Sequence, residues 1–189
     1  MASRLIMGVD PGLTRCGVGL VREGQRRQVE FVYVDTLRAS LDSPLEERIS
    51  VIGNRIDELI AEYRPDAIAL ERVFAQANLR SVMGVAQISG VVLYLAAKHR
   101  IPIYMHTPSE VKAAVTGSGR AAKAQIGEAV RLLLKLDEVP KPADSADALA
   151  IAITQAWRGA AASIGSGEPT KAQQAWIAAE RASKATPKR

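Results

Sequence analysis

The sequence predicts an α/β protein built on a mixed five-stranded sheet, three strands antiparallel and two parallel, flanked by helices. Three observations carry this. Three strand-like segments near the N-terminus are joined by links of a few residues, which suits antiparallel neighbours. Two further apolar segments, 66–71 and 101–106, alternate with long amphipathic stretches, the pattern of parallel crossovers. The chain has 189 residues and is 48% hydrophobic, enough for one core and too little for two full domains.

Residues 5–9, 15–22 and 28–36 read as the three antiparallel strands. Pro11-Gly12 and Arg22-Glu23-Gly24-Gln25 supply the turn chemistry between them. The third strand alternates, with Val29, Phe31 and Tyr33 on one face and Glu30, Val32 and Val34 on the other. Ser43-Pro44-Leu45-Glu46 reads as a helix start: Ser43 as N-cap, Pro44 in the first helical position and Glu46 closing a capping box. Leu45, Ile49, Ile52, Ile56, Leu59 and Tyr63 follow at helical spacing, and Arg64-Pro65 ends the helix.

Asp66-Ala67-Ile68-Ala69-Leu70-Glu71 is a compact buried-type strand that ends in an acid. Residues 78–100 predict a long helix with Gly84 and Gly90 inside it. Each glycine costs roughly 1 kcal/mol against alanine, which points to close packing on the sheet or on a partner helix. Pro102 argues that the strand at 101–106 lies on an edge. Thr107-Pro108-Ser109-Glu110 repeats the capping signature and opens a helix through Val115. The glycine-rich loop 117–119, an amphipathic helix at 121–136 and an alanine-rich helix at 143–157 complete the ordered part. Residues 1–158 are expected to form one domain. Residues 159–189 read as a basic, mobile tail.

The net charge of +5 fits a polyanionic partner. Cys16 is the single cysteine, so no intrachain disulfide forms and a reducing, cytoplasmic setting is expected. The longest apolar run, 91–97, is too short to cross a bilayer, and no membrane association is expected.

The chemistry centres on four acids. Asp10 ends the first strand of the motif Gly8-Val9-Asp10-Pro11-Gly12, and Glu71 ends the fourth. If those strands are adjacent and parallel, both carboxylates emerge at one sheet edge, where open α/β sheets place their ligands. Asp144 and Asp147 are three apart at a helix start and share a face. If that helix begins near the same edge, four carboxylates meet. Such a set suits two Mg²⁺ ions, roughly 3.5–4 Å apart in sites of this kind. Each acid also has a plainer reading. Asp10 suits a turn, Glu71 an ion pair with Arg72 or Arg80, and Asp144 with Asp147 the positive end of a helix. The order of elements is that of a ribonuclease H-like fold.

Four segments make a resemblance specific: Gly8-Val9-Asp10-Pro11-Gly12, Ala69-Leu70-Glu71-Arg72-Val73-Phe74, Thr107-Pro108-Ser109-Glu110-Val111-Lys112, and the run from Ala143-Asp144-Ser145-Ala146-Asp147 to Ala152. In that order, over residues 4 to about 158, the chain resembles the RuvC family of bacterial Holliday junction resolvases. The resemblance implies a homodimeric endonuclease. It would nick opposed strands of four-way junction DNA, with Mg²⁺ or Mn²⁺, and work beside the RuvA and RuvB branch-migration proteins.

The resemblance also makes Asp10, Glu71, Asp144 and Asp147 the metal-binding catalytic acids. Lys112 and Lys123 become residues that approach DNA, with Lys123 also offsetting charge in catalysis. Phe74 becomes a base-unstacking wedge, although by its sequence position alone, just after a buried-type strand, core is the favoured reading. Arg80 and Arg120 are further candidates for DNA contact. Two other readings of the motifs are a non-catalytic junction-binding module and a phosphate-binding fragment like those of actin or sugar kinases. Cys16 has no part in any of them.

Overall fold

In a computed structural model of the chain, residues 3–72 and 79–159 are described. Phe74, the side chain of Arg80 and the tail from residue 160 lie outside the described residues.

The five strands are β1 (Leu5–Asp10), β2 (Arg15–Glu23), β3 (Val29–Arg38), β4 (Ala67–Glu71) and β5 (Ile103–His106). The helices are α1 (Leu45–Tyr63), α2 (Leu79–His99), α3 (Pro108–Thr116), α4 (Lys123–Leu134) and α5 (Ala143–Arg158). The sheet order is β3-β2-β1-β4-β5. β1 pairs antiparallel with β2 and parallel with β4; β2 pairs antiparallel with β3, and β4 parallel with β5. The mixed sheet is therefore as expected, with β5 on an edge, where the proline before it is tolerated.

One face of the sheet packs on α1 and α2 through Ile52, Ile56, Leu59, Ile88, Val92 and Leu95. The other packs on α3, α4 and α5 through Val111, Ile126, Val130, Leu149 and Ile153. Both faces are covered, which is why β1 and β4 are apolar at nearly every position rather than alternating. The Val82–His99 part of α2 is long and apolar enough to cross a membrane by length and composition alone. Ile88, Val92, Leu95 and Ala96 instead bury one side of it in the core, and Met83, Leu93 and Tyr94 stay exposed.

Two local expectations are corrected. Ser43 does not cap α1: Pro44 is the capping position, no side chain caps it, and the predicted box with Glu46 does not form. The proline takes the extended conformation that precedes a helix, one residue earlier than its preference for the first turn suggested. In β3 the register slips where Leu20↔Tyr33 is followed by Val21↔Phe31. This bulge at Val32 reverses the facing of the strand on its two sides. Val29 packs with the α5 side and Tyr33 with the α1 side, so they do not share a face. The predicted capping box of α3 does form: Glu110 N donates to Thr107 Oγ1 (3.2 Å) and Thr107 N donates to Glu110 Oε2 (2.7 Å).

α5 is the most deeply buried helix. Ser145, Ala146 and all of 148–155 are buried. Its small side chains let it lie directly against β1 and β2, where glycines meet it. Its buried polar groups are satisfied. Ser145 Oγ lies 2.8 Å from Thr36 Oγ1, Thr154 Oγ1 donates to Ala150 O, and Gln155 Oε1 lies 2.9 Å from His106 Nε2.

Candidate active site

The register of β1 with β4 runs from Ile6↔Ala67 to Val9↔Leu70. Asp10 and Glu71 are the next residues on two adjacent parallel strands, so their carboxylates leave the same sheet edge. Alternation puts them on the face that carries Ile6 and Ala69, the face covered by α5. α5 begins at that edge and brings Asp144 and Asp147, three residues apart, to the same side.

The four acids share one electrostatic field. Burial pushes the Asp10 carboxyl up to about 8, and the charges of Glu71, Asp147 and Asp144 add to the rise. Burial also raises Glu71, with Asp147 contributing, while Lys123 and Lys112 oppose the rise. Asp147 is raised by burial and held down chiefly by Lys123. Lys123 Nζ sits 3.4 Å from Asp147 Oδ2, and Arg15 Nε sits 3.2 Å from Asp144 Oδ2. Among the described residues no three acidic side chains converge into a cage that would hold a cation. The expected meeting of four carboxylates is thus a coupling of charges rather than a closed ligand set. Burial first, and the like charges second, account for the raised protonation.

The donor set is nonetheless the right kind for a hard divalent cation. It consists of carboxylate oxygens, with no thiol or imidazole facing them, four acids against the three cations Lys112, Lys123 and Arg15. Asp10, Glu71, Asp144 and Asp147 are the residues that would hold such an ion. Cys16 has no place in the chemistry: it is fully buried, and burial pushes its thiol up to about 12.

Lys112 projects from α3, half-buried, and its charge reaches Glu71 and Asp147. Lys123 stands at the start of α4, largely exposed except toward Asp147. Arg120 is exposed in the loop between these helices. Lys112 and Lys123 therefore flank the acids on the α3–α4 side. Phe74 lies outside the described residues, as does the side chain of Arg80.

The family model of the crossover junction endodeoxyribonuclease RuvC matches residues 6–155, which span every element of the fold. The chain belongs to the RuvC family. A RuvC from Leifsonia xyli is 50% identical, with 96% of this chain and 94% of that protein covered. One from Nocardioides is 54% identical over 82% of this chain and 88% of its own length. Among solved structures, T. thermophilus RuvC in complex with a Holliday junction substrate superposes with a TM-score of 0.80 at 34% identity, covering 85% of this chain and 99% of that one. The yeast mitochondrial resolvase Ydc2 shares the fold, with a TM-score of 0.57 at 12% identity.

Within this RuvC frame, three features escaped the sequence reading. Arg15 pairs with Asp144, yet its only signal was its place after the Asp-Pro-Gly turn. His106 and Gln155 join the end of β5 to α5 inside the core, and residues 49 positions apart leave no local pattern. Arg48 reaches from α1 to donate from Nη2 to Thr14 Oγ1 (2.6 Å) in the loop after β1. On a helix with a charged outer face, nothing in the sequence sets it apart from a solvated arginine.

Proposed function

We propose that the chain is a divalent-metal-dependent endonuclease that resolves four-way DNA junctions by paired nicks. The observation that carries the reading is that Asp10 and Glu71, at adjacent strand ends, are electrostatically coupled to Asp144 and Asp147 on α5, in a chain of the RuvC family. Two Mg²⁺ ions, with Mn²⁺ as a substitute, suit a set of four carboxylates. When bound, such ions would polarise the scissile phosphate and make the attacking water acidic.

The protein's own residues divide the remaining work. Asp10 and Glu71 are fixed by the sheet and Asp144 and Asp147 by α5, so the holders are placed by rigid elements before substrate arrives. Water adds to phosphorus, the P–O3′ bond breaks, and the ends are 5′-phosphate and 3′-hydroxyl. Lys123 stands beside Asp147 and offsets negative charge that builds on the leaving 3′ oxygen. Lys112, on the same side, and Arg120, in the loop between α3 and α4, face the DNA backbone. Phe74 and Arg80 are assigned to the same DNA by their place after Glu71.

Resolution needs two cuts related by a two-fold axis, which a C₂ dimer provides. The apolar face of α2, with Met83, Leu93 and Tyr94 exposed, is the surface assigned to that contact. Branch-migration proteins of the RuvA and RuvB kind are the expected partners, and the cytoplasm the expected location.

The test is cleavage of a synthetic four-way junction beside a linear duplex in Mg²⁺, by the wild type and Glu71→Gln. Paired, religatable nicks in opposed strands, absent in the variant, support the reading. Tight junction binding without cutting by the wild type would make it a binding module. Equal cutting of duplex and junction would make it a general nuclease.

A further inference from the structure

Beside the acids, on the side away from Lys123, lies an open cavity of about 470 Å³ whose wall includes Asp10, Thr14, Arg15, Arg48, Gly84 and Asp144. Arg48 is what sets it apart. Among the described residues, the other half-buried arginines (Arg4, Arg55 and Arg131) each pair with a carboxylate, Glu23, Glu58 and Glu128 respectively. Arg48 pairs with none of the described residues' carboxylates. Its Nη2 donates to Thr14 Oγ1, and its buried Nε has no partner among the described residues. Residues 73–81 contain no Asp or Glu that would serve as a counterion.

A guanidinium withdrawn from water with donors unmatched is costly unless an anion completes it. Arg15 puts a second guanidinium on the same wall, more than half exposed and tied at Nε to Asp144. The planar donor fork of arginine matches phosphate oxygens. The cavity opens directly onto Asp10 and Asp144, so a nucleic-acid strand whose scissile phosphate lies at the acids passes its neighbouring phosphates along this wall.

We infer that Arg48, with Arg15, binds a non-scissile backbone phosphate of the cleaved strand next to the cut, and that Thr14 orients the Arg48 guanidinium for it. The inference rests on the nuclease reading above. The subsite sets which phosphate reaches the acids, since a phosphate held on one side fixes the register of its neighbour.

The experiment measures junction affinity against NaCl concentration in Ca²⁺ without cutting, for the wild type, Arg48→Ala, Arg48→Lys and Thr14→Val, each checked for folding by circular dichroism. Loss of one phosphate contact makes the slope of log K against log salt shallower by about 0.9. Arg48→Ala is expected to show that change, whereas Arg48→Lys and Thr14→Val keep the wild-type slope. Junctions carrying a single neutral methylphosphonate at positions flanking the mapped cut then locate the phosphate. At one position neutralisation weakens the wild type, and Arg48→Ala adds no further loss. An unchanged slope in folded Arg48→Ala, or additive losses at every position, overturns the subsite. If Arg48→Ala does not fold, Arg48→Lys takes its place in the methylphosphonate scan: a weaker coupling than wild type at one position supports the subsite, and equal coupling everywhere overturns it. If the wild type neither prefers nor cuts junctions, the nuclease reading itself falls, and the subsite with it.

Discussion

Gly17 lies so close to Asp144 that a Cβ on it would stand 2.1 Å from the Asp144 carbonyl oxygen. A Cβ on Gly8, one strand over, would stand 2.2 Å from Ala148 O. These contacts are with backbone, so a side chain there cannot be absorbed by a rotamer change. The glycines of β1 and β2 thereby set the height of α5 above the sheet, and with it the distance of Asp144 and Asp147 from Asp10.

Gly17→Ala is therefore expected to push the start of α5 outward. Overpacking of this kind costs about 1–3 kcal/mol, readable by urea denaturation. Junction cleavage should fall much further than the folded fraction does. Gly90→Ala is the contrasting case. Among the described residues, nothing outside its own stretch of helix lies within 4 Å of a Cβ built there, so within one chain the change should stabilise α2 by up to about 1 kcal/mol. Loss of dimerisation in Gly90→Ala with the monomer intact would show that this open position faces a second copy.

The metal-free site should make stability fall as pH rises. Asp10 is raised to about 8, first by burial and then by Glu71, Asp147 and Asp144, and burial raises Glu71 and Asp147 as well. A carboxyl raised on folding binds its proton more tightly in the native state. Its contribution is thus full below the unfolded value near 4 and is lost as pH climbs through the folded value near 8. In EDTA the melting temperature should decline between these limits, and Mg²⁺ should reverse the decline at the upper end. Asp10→Asn should remove most of the slope. It should also raise metal-free stability at pH 8 by about 1 kcal/mol, roughly 2–4 °C for a domain this size, while abolishing cleavage. A flat profile in EDTA for the wild type would contradict the coupling of the four acids.

Much of this arrangement was legible in the chain. Short turns gave the antiparallel strands, Pro102 the edge position of β5, and Thr107 with Glu110 the start of α3. Asp10 and Glu71 could be placed because a strand end is a local feature. What stayed hidden depends on contacts between distant residues. The bulge at Val32 arises from pairing with β2, and nothing in the alternation of β3 announces it. Ser43-Pro44 matched the local pattern of a capped helix, yet α1 starts one residue later, with Pro44 at the capping position and Ser43 outside it. Arg48 and Thr14 are 34 positions apart, and only the fold shows that the arginine has no acid beside it among the described residues.

Cys16 offers a clean control on the mechanism. It faces the core from β2 and burial holds its thiol near 12, so it stays protonated at working pH. Cys16→Ala should leave the cleavage rate within about twofold of wild type and cost roughly 1 kcal/mol in stability, as small core truncations do. In the native protein the thiol should resist labelling and react at once after denaturation. Loss of cleavage in a folded Cys16→Ala variant would implicate a covalent intermediate and displace hydrolysis by water.

Lys123 has two effects that a pH profile can separate. Its charge lies 3.4 Å from Asp147 Oδ2 and lowers Asp10, Glu71 and Asp147 alike. Removing it lets all three carboxyls rise, so Lys123→Ala should hold its protons to higher pH and need more Mg²⁺ for half-maximal activity at pH 7. The acid limb of its rate profile should shift upward. The second effect is on the leaving oxygen. Loss of one charge or hydrogen bond that acts on the transition state costs on the order of 10²-fold in rate, and that loss should persist at high pH and saturating Mg²⁺. Lys123→Arg should restore the acid limb, because it keeps the charge near Asp147, while recovering the plateau rate incompletely, because the guanidinium presents its donors in a different geometry. A variant whose defect vanished at high pH and high Mg²⁺ would show that Lys123 acts only through the carboxylates, leaving charge on the 3′ oxygen to be met elsewhere.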